Sequence, residues 1–273
     1  MNKQFKKFAK NWLPPALIRG VRNSIVKSNR FIGPFENWDI AKNQCTGYES
    51  PLILEKVLKA AIQVKKGEAL YERDSATFDE INYSWPLVSG LMMAAAKHHG
   101  VLNVLDFGGS LGSSYFQHKS LFKSLSSFKW NVVEQSHFVE VGIKHFQDNN
   151  LMFYKSIENC LNENKPNVVL ISAVLQYLPA YKDSLNALKE VNADIIILDR
   201  TIVNETNHDK LHIQIVPENI YKATYPCWTI SESNLLKIME NKYKLLSTLP
   251  SLNFEGLEKI NSKFKGYLFE KNN

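Results

Sequence analysis

Cysteine is scarce in this chain, with three residues in 273, Cys45, Cys160 and Cys227. Their odd number, with no Cys-x-x-Cys and no Cys/His ligand spacing, excludes a disulfide framework and a zinc site. It predicts no metal and a reducing, cytoplasmic setting. Long hydrophobic runs are also missing. The mid-chain run Leu91–Ala96 falls far short of the roughly 20 residues a membrane span needs. Lys and Arg interrupt every apolar stretch near the N-terminus, so no secretory signal is expected. Acidic residues are absent from positions 1–35, which hold eight basic ones. The rest of the chain has 25 basic and 27 acidic residues, so the formal charge of +6 belongs to that arm. A nucleic-acid groove across the whole protein is excluded by that distribution.

What is present is material for a core. Apolar residues make up 44% and aromatics 11%, which excludes a disordered or collagen-like chain and fits a large single domain with an appendage. The arm, residues 1–35, places Phe5, Phe8, Trp12 and Leu13 at helical spacing between lysines. Such a stretch in residues 1–30 either lies peripherally on an anionic inner membrane face or is a solvated tail. Residues 36–100 read as a helical cap, with a helix starting at Pro51 and a helical period through Phe78, Ile81, Trp85 and Val88. From 101 to 273 strands and helices alternate. The strand-like runs are 102–107, 130–133, 167–172, 194–199, 243–249 and 266–270. Their spacing predicts an α/β, Rossmann-like fold with a mostly parallel sheet and an antiparallel edge hairpin.

The strongest local signal is Asn103-Val-Leu-Asp-Phe-Gly-Gly-Ser-Leu-Gly112, a strand ending in Asp106 and a glycine-rich turn opening a helix. Gly108, Gly109 and Gly112 allow tight turns and close ligand approach, and the helix start offers free N–H groups. Asp106 ahead of the first glycine would repel a pyrophosphate and welcome a cationic sulfonium with an amino-acid tail. The G-x-G-x-x-G spacing also fails, because Ser110 stands two after Gly108. Both points favour S-adenosylmethionine over a nicotinamide dinucleotide. Glu134, beside Gln135 at the end of the next strand, can accept hydrogen bonds from ribose hydroxyls. Gln176 follows the apolar run Val168–Ile171 at the carboxyl edge, where open α/β sheets bind ligands. No Asp/Asn-Pro-Pro-Tyr follows that strand, which tilts the acceptor atom towards oxygen.

The chain resembles a family of class I S-adenosylmethionine-dependent methyltransferases associated with bacterial surface-polysaccharide (O-antigen/capsule) gene clusters. Gly47-Tyr48, Tyr71-Glu-Arg-Asp-Ser75, Phe78–Pro86 and Leu105–Gln117 carry the resemblance, as do Trp130–Gln135, Ser172–Pro179, Asp199-Arg-Thr201 and Tyr225-Pro-Cys-Trp228. It implies a seven-stranded methyltransferase sheet with a helical N-terminal cap. The expected reaction is transfer of a methyl group to a hydroxyl of a glycan, lipid-linked sugar or other small molecule.

Removing a hydroxyl proton needs a base at the carboxyl edge. Candidates are His212, whose unperturbed pKa suits neutral pH, and Asp199 with Arg200. The alternation Leu211, Ile213, Ile215 equally makes His212 a polar-face residue of an ordinary strand, and Asp199 with Arg200 equally a structural ion pair. Tyr71, Arg73, Tyr83 and Trp85 are expected on a helical lid facing the acceptor, with Tyr225 and Trp228 as an aromatic wall. A non-catalytic cofactor-binding scaffold for polysaccharide assembly is the alternative function.

Overall fold

A computed structural model describes residues 30–47, 51–216, 223–250 and 256–272. The arm helices and the membrane contact expected in residues 1–30 lie outside it but for Arg30, as do Tyr48 and residues 217–222.

The described chain opens with strand β1 (Arg30–Phe35) and helix α1 (Trp38–Lys42), the latter capped by Asn37, whose side chain accepts from the Ile40 N–H at 3.0 Å. Helix α2 (Pro51–Lys65) begins at its proline as predicted. The stretch from Tyr71 was expected to continue as a helical lid. It is instead a hairpin, β2 (Tyr71–Arg73) and β3 (Ala76–Phe78), followed by an irregular segment. The reason is local. Asp74 and Ser75 both take left-handed backbone (φ 51° and 65°), the conformation of a two-residue hairpin turn. Tyr71 and Phe78 pair across the strands with rings stacked at 4.6 Å. Helix α3 (Trp85–Lys97) starts only where Pro86 can occupy its first turn.

Then the alternation begins: β4 (Val101–Phe107), α4 (Ser113–His118), β5 (Ser127–Val133), α5 (Ser136–His145), β6 (Leu151–Tyr154), α6 (Ile157–Glu163), β7 (Val168–Ser172), α7 (Tyr181–Glu190) and β8 (Ile195–Asn204). A hairpin of β9 (Lys210–Ile215) and β10 (Thr224–Ser231) leads to α8 (Glu232–Glu240), β11 (Tyr243–Pro250) and β12 (Ser262–Lys271). The main sheet runs β6-β5-β4-β7-β8, all parallel; β12 then pairs antiparallel with β8, and β11 antiparallel with β12. This is the mostly parallel, Rossmann-like α/β sheet with an antiparallel edge pair that the strand spacing predicts.

Period-two alternation divides the core between the two faces. Leu102, Val104, Val168, Leu170, Ile195 and Ile197 pack with residues of α2, α3 and α5, whereas Leu105, Val169, Ile171, Ile196 and Leu198 pack with residues of α7 and α8. Residues of the expected cap thus share one core with the sheet.

An unpredicted feature lies at the carboxyl end. The ten residues of β8 outrun the five of β7, and its last two pair with β10. From there β10-β9-β1 form an antiparallel side sheet, packed against α1 through Leu211, Ile213, Ala41 and Trp38.

Candidate functional site

The strand order reverses between β4 and β7, and the crevice outside that point is where such sheets take ligands. A cavity of about 730 Å³ occupies it, walled by the ends of β4, β5, β7 and β8, by the β2–β3 turn and by the side sheet.

Most of the residues expected to hold the cofactor gather on one side of this cavity. Asp106, Gly108, Gly109, Ser110, Glu134 and Gln135 all line the cavity. Gly108 has φ 72°, and a Cβ there would run into Val174; a Cβ on Gly109 would stand 2.5 Å from Asp106 Oδ2. Ser110 sits at φ 53°, the left-handed region glycine usually fills, and its N–H donates to Glu134 Oε2 at 3.3 Å. The other Glu134 oxygen accepts from the Gln135 N–H at 2.8 Å, and burial raises this carboxyl group above its usual range. Asp106 is 1% exposed and accepts from the Trp130 indole N–H at 2.8 Å. Burial pushes it up to about 7, against the indole's hydrogen bond. Two expected contacts lie behind the wall. Gly112 turns the chain into α4 with φ 89° and a hypothetical Cβ 3.1 Å from Leu151. Gln176 is fully buried and donates to the Arg200 carbonyl at 3.2 Å, so it braces the end of β8.

The acceptor-side expectations divide. Arg73 and Tyr225 line the cavity. Tyr71 is buried in its stack with Phe78. Tyr83 bonds Ser120 at 3.1 Å, Trp85 is 61% exposed, and neither lines the cavity. Trp228 stacks on Trp38 at 5.9 Å and donates to the Leu178 carbonyl. These four are displaced because the expected lid helix is a hairpin and because β10 alternates, sending Tyr225 to the cavity and Trp228 to α1.

Of the candidate bases, His212 does lie on a strand but is buried away from the cavity wall, and burial lowers its pKa. Asp199 accepts from Ser172 Oγ at 2.6 Å and from Arg200 Nε at 3.3 Å, the ion pair foreseen as its other reading. Arg200 itself lines the cavity.

Sequence reasoning missed Glu72. It is 3% exposed, lines the cavity, and accepts from Ser113 Oγ and from the Ser75 N–H at 3.3 Å. Burial pushes it up to about 7. A glutamate in the polar run Tyr-Glu-Arg-Asp-Ser carries no mark of burial; only the Asp-Ser hairpin turn signalled an alternating strand. Gln214 was also missed: it lines the cavity with Tyr177, whose phenol donates to its amide oxygen at 2.9 Å.

Among the described residues no group of His, Cys, Asp and Glu is placed to hold a metal ion, and no helix is long and apolar enough to cross a membrane.

No family model and no curated protein matches the chain. Solved structures similar to it include an S-adenosylmethionine-dependent methyltransferase from Clostridium acetobutylicum, 12% identical with a TM-score of 0.47, covering 79% of this chain and 98% of that one. Magnesium protoporphyrin IX methyltransferase from Synechocystis PCC 6803, with bound S-adenosylmethionine, is 13% identical with a TM-score of 0.45, over 83% and 100%. The N-terminal domain of EvdMO1, in the presence of S-adenosylhomocysteine and D-fucose, is 11% identical with a TM-score of 0.47, over 78% and 97%. At this level the likeness is one of fold.

Proposed function

We propose that this protein is an S-adenosylmethionine-dependent methyltransferase acting on a hydroxyl of a sugar, glycan or lipid-linked saccharide in surface-polysaccharide assembly. The carrying observation is the pair of carboxyl groups around the glycine turn, Asp106 buried and Glu134 half-buried. Asp106 lies against Gly109 at the end of β4, and Glu134 holds the Ser110 backbone from the end of β5. An acid at the first position disfavours a pyrophosphate and favours a cationic ligand; one at the second suits ribose hydroxyls. The turn fits such a ligand: Gly108 and Gly109 line the cavity, and a Cβ on either would press Val174 or the Asp106 carboxyl that faces it.

When bound, the cofactor supplies a methyl group already activated on a sulfonium. This chain's residues then have to orient the acceptor and accept its proton. Glu72 suits the second task better than His212 or Asp199. It lines the cavity, makes its hydrogen bonds only to Ser113 and Ser75 among the described residues, and changes charge near neutral pH. The saccharide assignment rests on the resemblance of the sequence blocks. A cytoplasmic protein touching the anionic membrane face rests instead on the basic arm with its Phe and Trp residues; deleting residues 1–29, which leaves β1 intact, should abolish liposome association.

Calorimetry with S-adenosylmethionine, S-adenosylhomocysteine and NAD tests the reading. Binding of both sulfur compounds and not NAD is expected, followed by transfer of labelled methyl into a cell-envelope extract. Failure of both sulfur compounds to bind removes the proposal; binding without transfer leaves the scaffold function.

A further inference from the structure

We infer that the acceptor carries an anionic group, a phosphate or a carboxylate, and that Arg73 and Arg200 seat it at the β8 end of the cavity. The inference rests on the methyltransferase reading and adds the substrate's charge to it.

Arg73 reaches the cavity wall from β2. Its one hydrogen bond among the described residues runs from Nη2 to Gln117 Oε1 at 3.2 Å, and it makes no ion pair there. Gln117 is itself buried and donates to the Asn82 carbonyl, so its orientation is set. One edge of the guanidinium is therefore held while Nε and Nη1 keep their capacity to donate. Arg200 approaches from the end of β8. Its Nη2 donates to Ser172 Oγ at 3.1 Å and its Nε to Asp199, leaving Nη1 3.9 Å from Asp74. Asp74 is 67% exposed at the hairpin turn and screens little. Asp199, the close carboxylate, is already shared with Ser172.

Two guanidinium groups thus line one concave wall, with Asp199 as the close counter-charge and the exposed Asp74 a longer one. Burial and then the neighbouring Arg200 charge lower the Arg73 pKa, against the smaller opposing pulls of Tyr71, Asp74 and Asp199. A bound anion offsets both costs, and guanidinium forks suit phosphate and carboxylate oxygens.

The position favours the acceptor over the cofactor as the source of that anion. Glu134 ends β5 and Arg200 follows the paired part of β8. With β4 and β7 between them, that is about 14 Å at roughly 4.8 Å per strand. The wall beside Arg200 comes from Gln214, Tyr225 and Phe264, on the side sheet and β12, none of which belongs to the glycine turn. Aromatic faces there suit a sugar ring, and the arginines its charged substituent.

The experiment first measures S-adenosylhomocysteine affinity, then titrates pyrophosphate and, separately, glucuronate into the saturated protein, with glucose as the uncharged control. Saturable binding of at least one anion is expected. R200Q and R73Q should each weaken it about tenfold or more, with R200K intermediate and S-adenosylhomocysteine affinity of R200Q within about twofold. Which anion binds separates a phosphorylated from an acidic sugar. No anion binding to the saturated protein, no effect of either glutamine variant, or expulsion of the anion by S-adenosylhomocysteine overturns the assignment alone. The last result would give the arginines to the cofactor's own carboxylate. Absence of S-adenosylhomocysteine binding removes the methyltransferase reading and this assignment together.

Discussion

Asp106→Asn should make the ligand-free protein more stable at pH 8 while weakening its cofactor affinity. Burial raises the Asp106 carboxyl to about 7 from an ordinary aspartate value of 3.8. Below about pH 4 both folded and unfolded chains hold the proton. Between about 4 and 7 the unfolded chain releases it and the fold does not, so stability falls as pH rises, levelling off above about 7. At about 1.4 kcal/mol per pH unit, the cost of the ionised group reaches about 4 kcal/mol at pH 8 and only about 1.5 kcal/mol at pH 5. The amide oxygen in Asn can take the Oδ2 position that accepts from Trp130 Nε1 and lies nearest Gly109, but its NH2 then replaces Oδ1 and costs about 1–2 kcal/mol if it finds no partner. The variant should therefore lie near parity with the wild type at pH 5 and about 2–3 kcal/mol above it at pH 8. Urea unfolding at the two pH values reads this directly. The wild type keeps a further slope in the same direction from Glu72, so the variant's profile flattens without becoming level. A variant less stable than the wild type by the same amount at both pH values would refute the claim that an ionised Asp106 burdens the empty site.

Gly109→Ala places a methyl group against the same carboxyl, at 2.5 Å from Oδ2 before relaxation. It should cost about 1–3 kcal/mol in a thermal melt and weaken S-adenosylhomocysteine binding in calorimetry. Glu134→Gln should weaken that ligand about tenfold, with little change in stability, because the amide oxygen can still accept from one of the two N–H groups that Glu134 now serves. Glu72→Gln should lower turnover by about a hundredfold and remove the rise in rate through about pH 7 that an ionising Glu72 predicts in the wild type. An unchanged pH–rate profile would remove Glu72 as the proton acceptor.

The parallel sheet and the cofactor turn were legible because both are local signals. Apolar runs such as Val168–Ile171 are continuous where both faces are covered, and Asp106 stands within four residues of the glycines that shape its surroundings. The acceptor side is built differently. Arg73 comes from β2, far in the chain from the successive strands β8, β9 and β10 that bring Arg200, Gln214 and Tyr225, and composition cannot say which of them converge. The lid was misread for a related reason: Phe78, Ile81, Trp85 and Val88 fit a helical period by coincidence, while the Asp74-Ser75 turn decides the local backbone. His212 shows the remaining limit. Its alternation correctly placed it on a strand, yet both faces of β9 are covered, so the polar face is buried too.

One backbone irregularity explains how Arg200 comes to face the cavity. Lys265 pairs with Thr201 and Tyr267 with Leu198, so Asp199 and Arg200 together oppose the single residue Gly266. That is a bulge in β8, with Arg200 left-handed at φ 49°, and bulges re-aim side chains beside sites. It falls where β7 ends, since Ser172 pairs with Asp199 and β7 goes no further. Gly266 lies tight against it: a Cβ there would stand 3.0 Å from the Leu198 carbonyl oxygen and 3.0 Å from Leu249 Cβ. The carbonyl is backbone and cannot yield without moving β8 itself. Gly266→Ala should therefore disturb the bulge and the aim of Arg200, at about 1–3 kcal/mol of stability. Anion binding should fall while S-adenosylhomocysteine affinity, set two and three strands away at Asp106 and Glu134, is retained. Equal losses of both ligands would mean that the methyl group disrupts the sheet as a whole and that the bulge has no separate part in aiming the arginine.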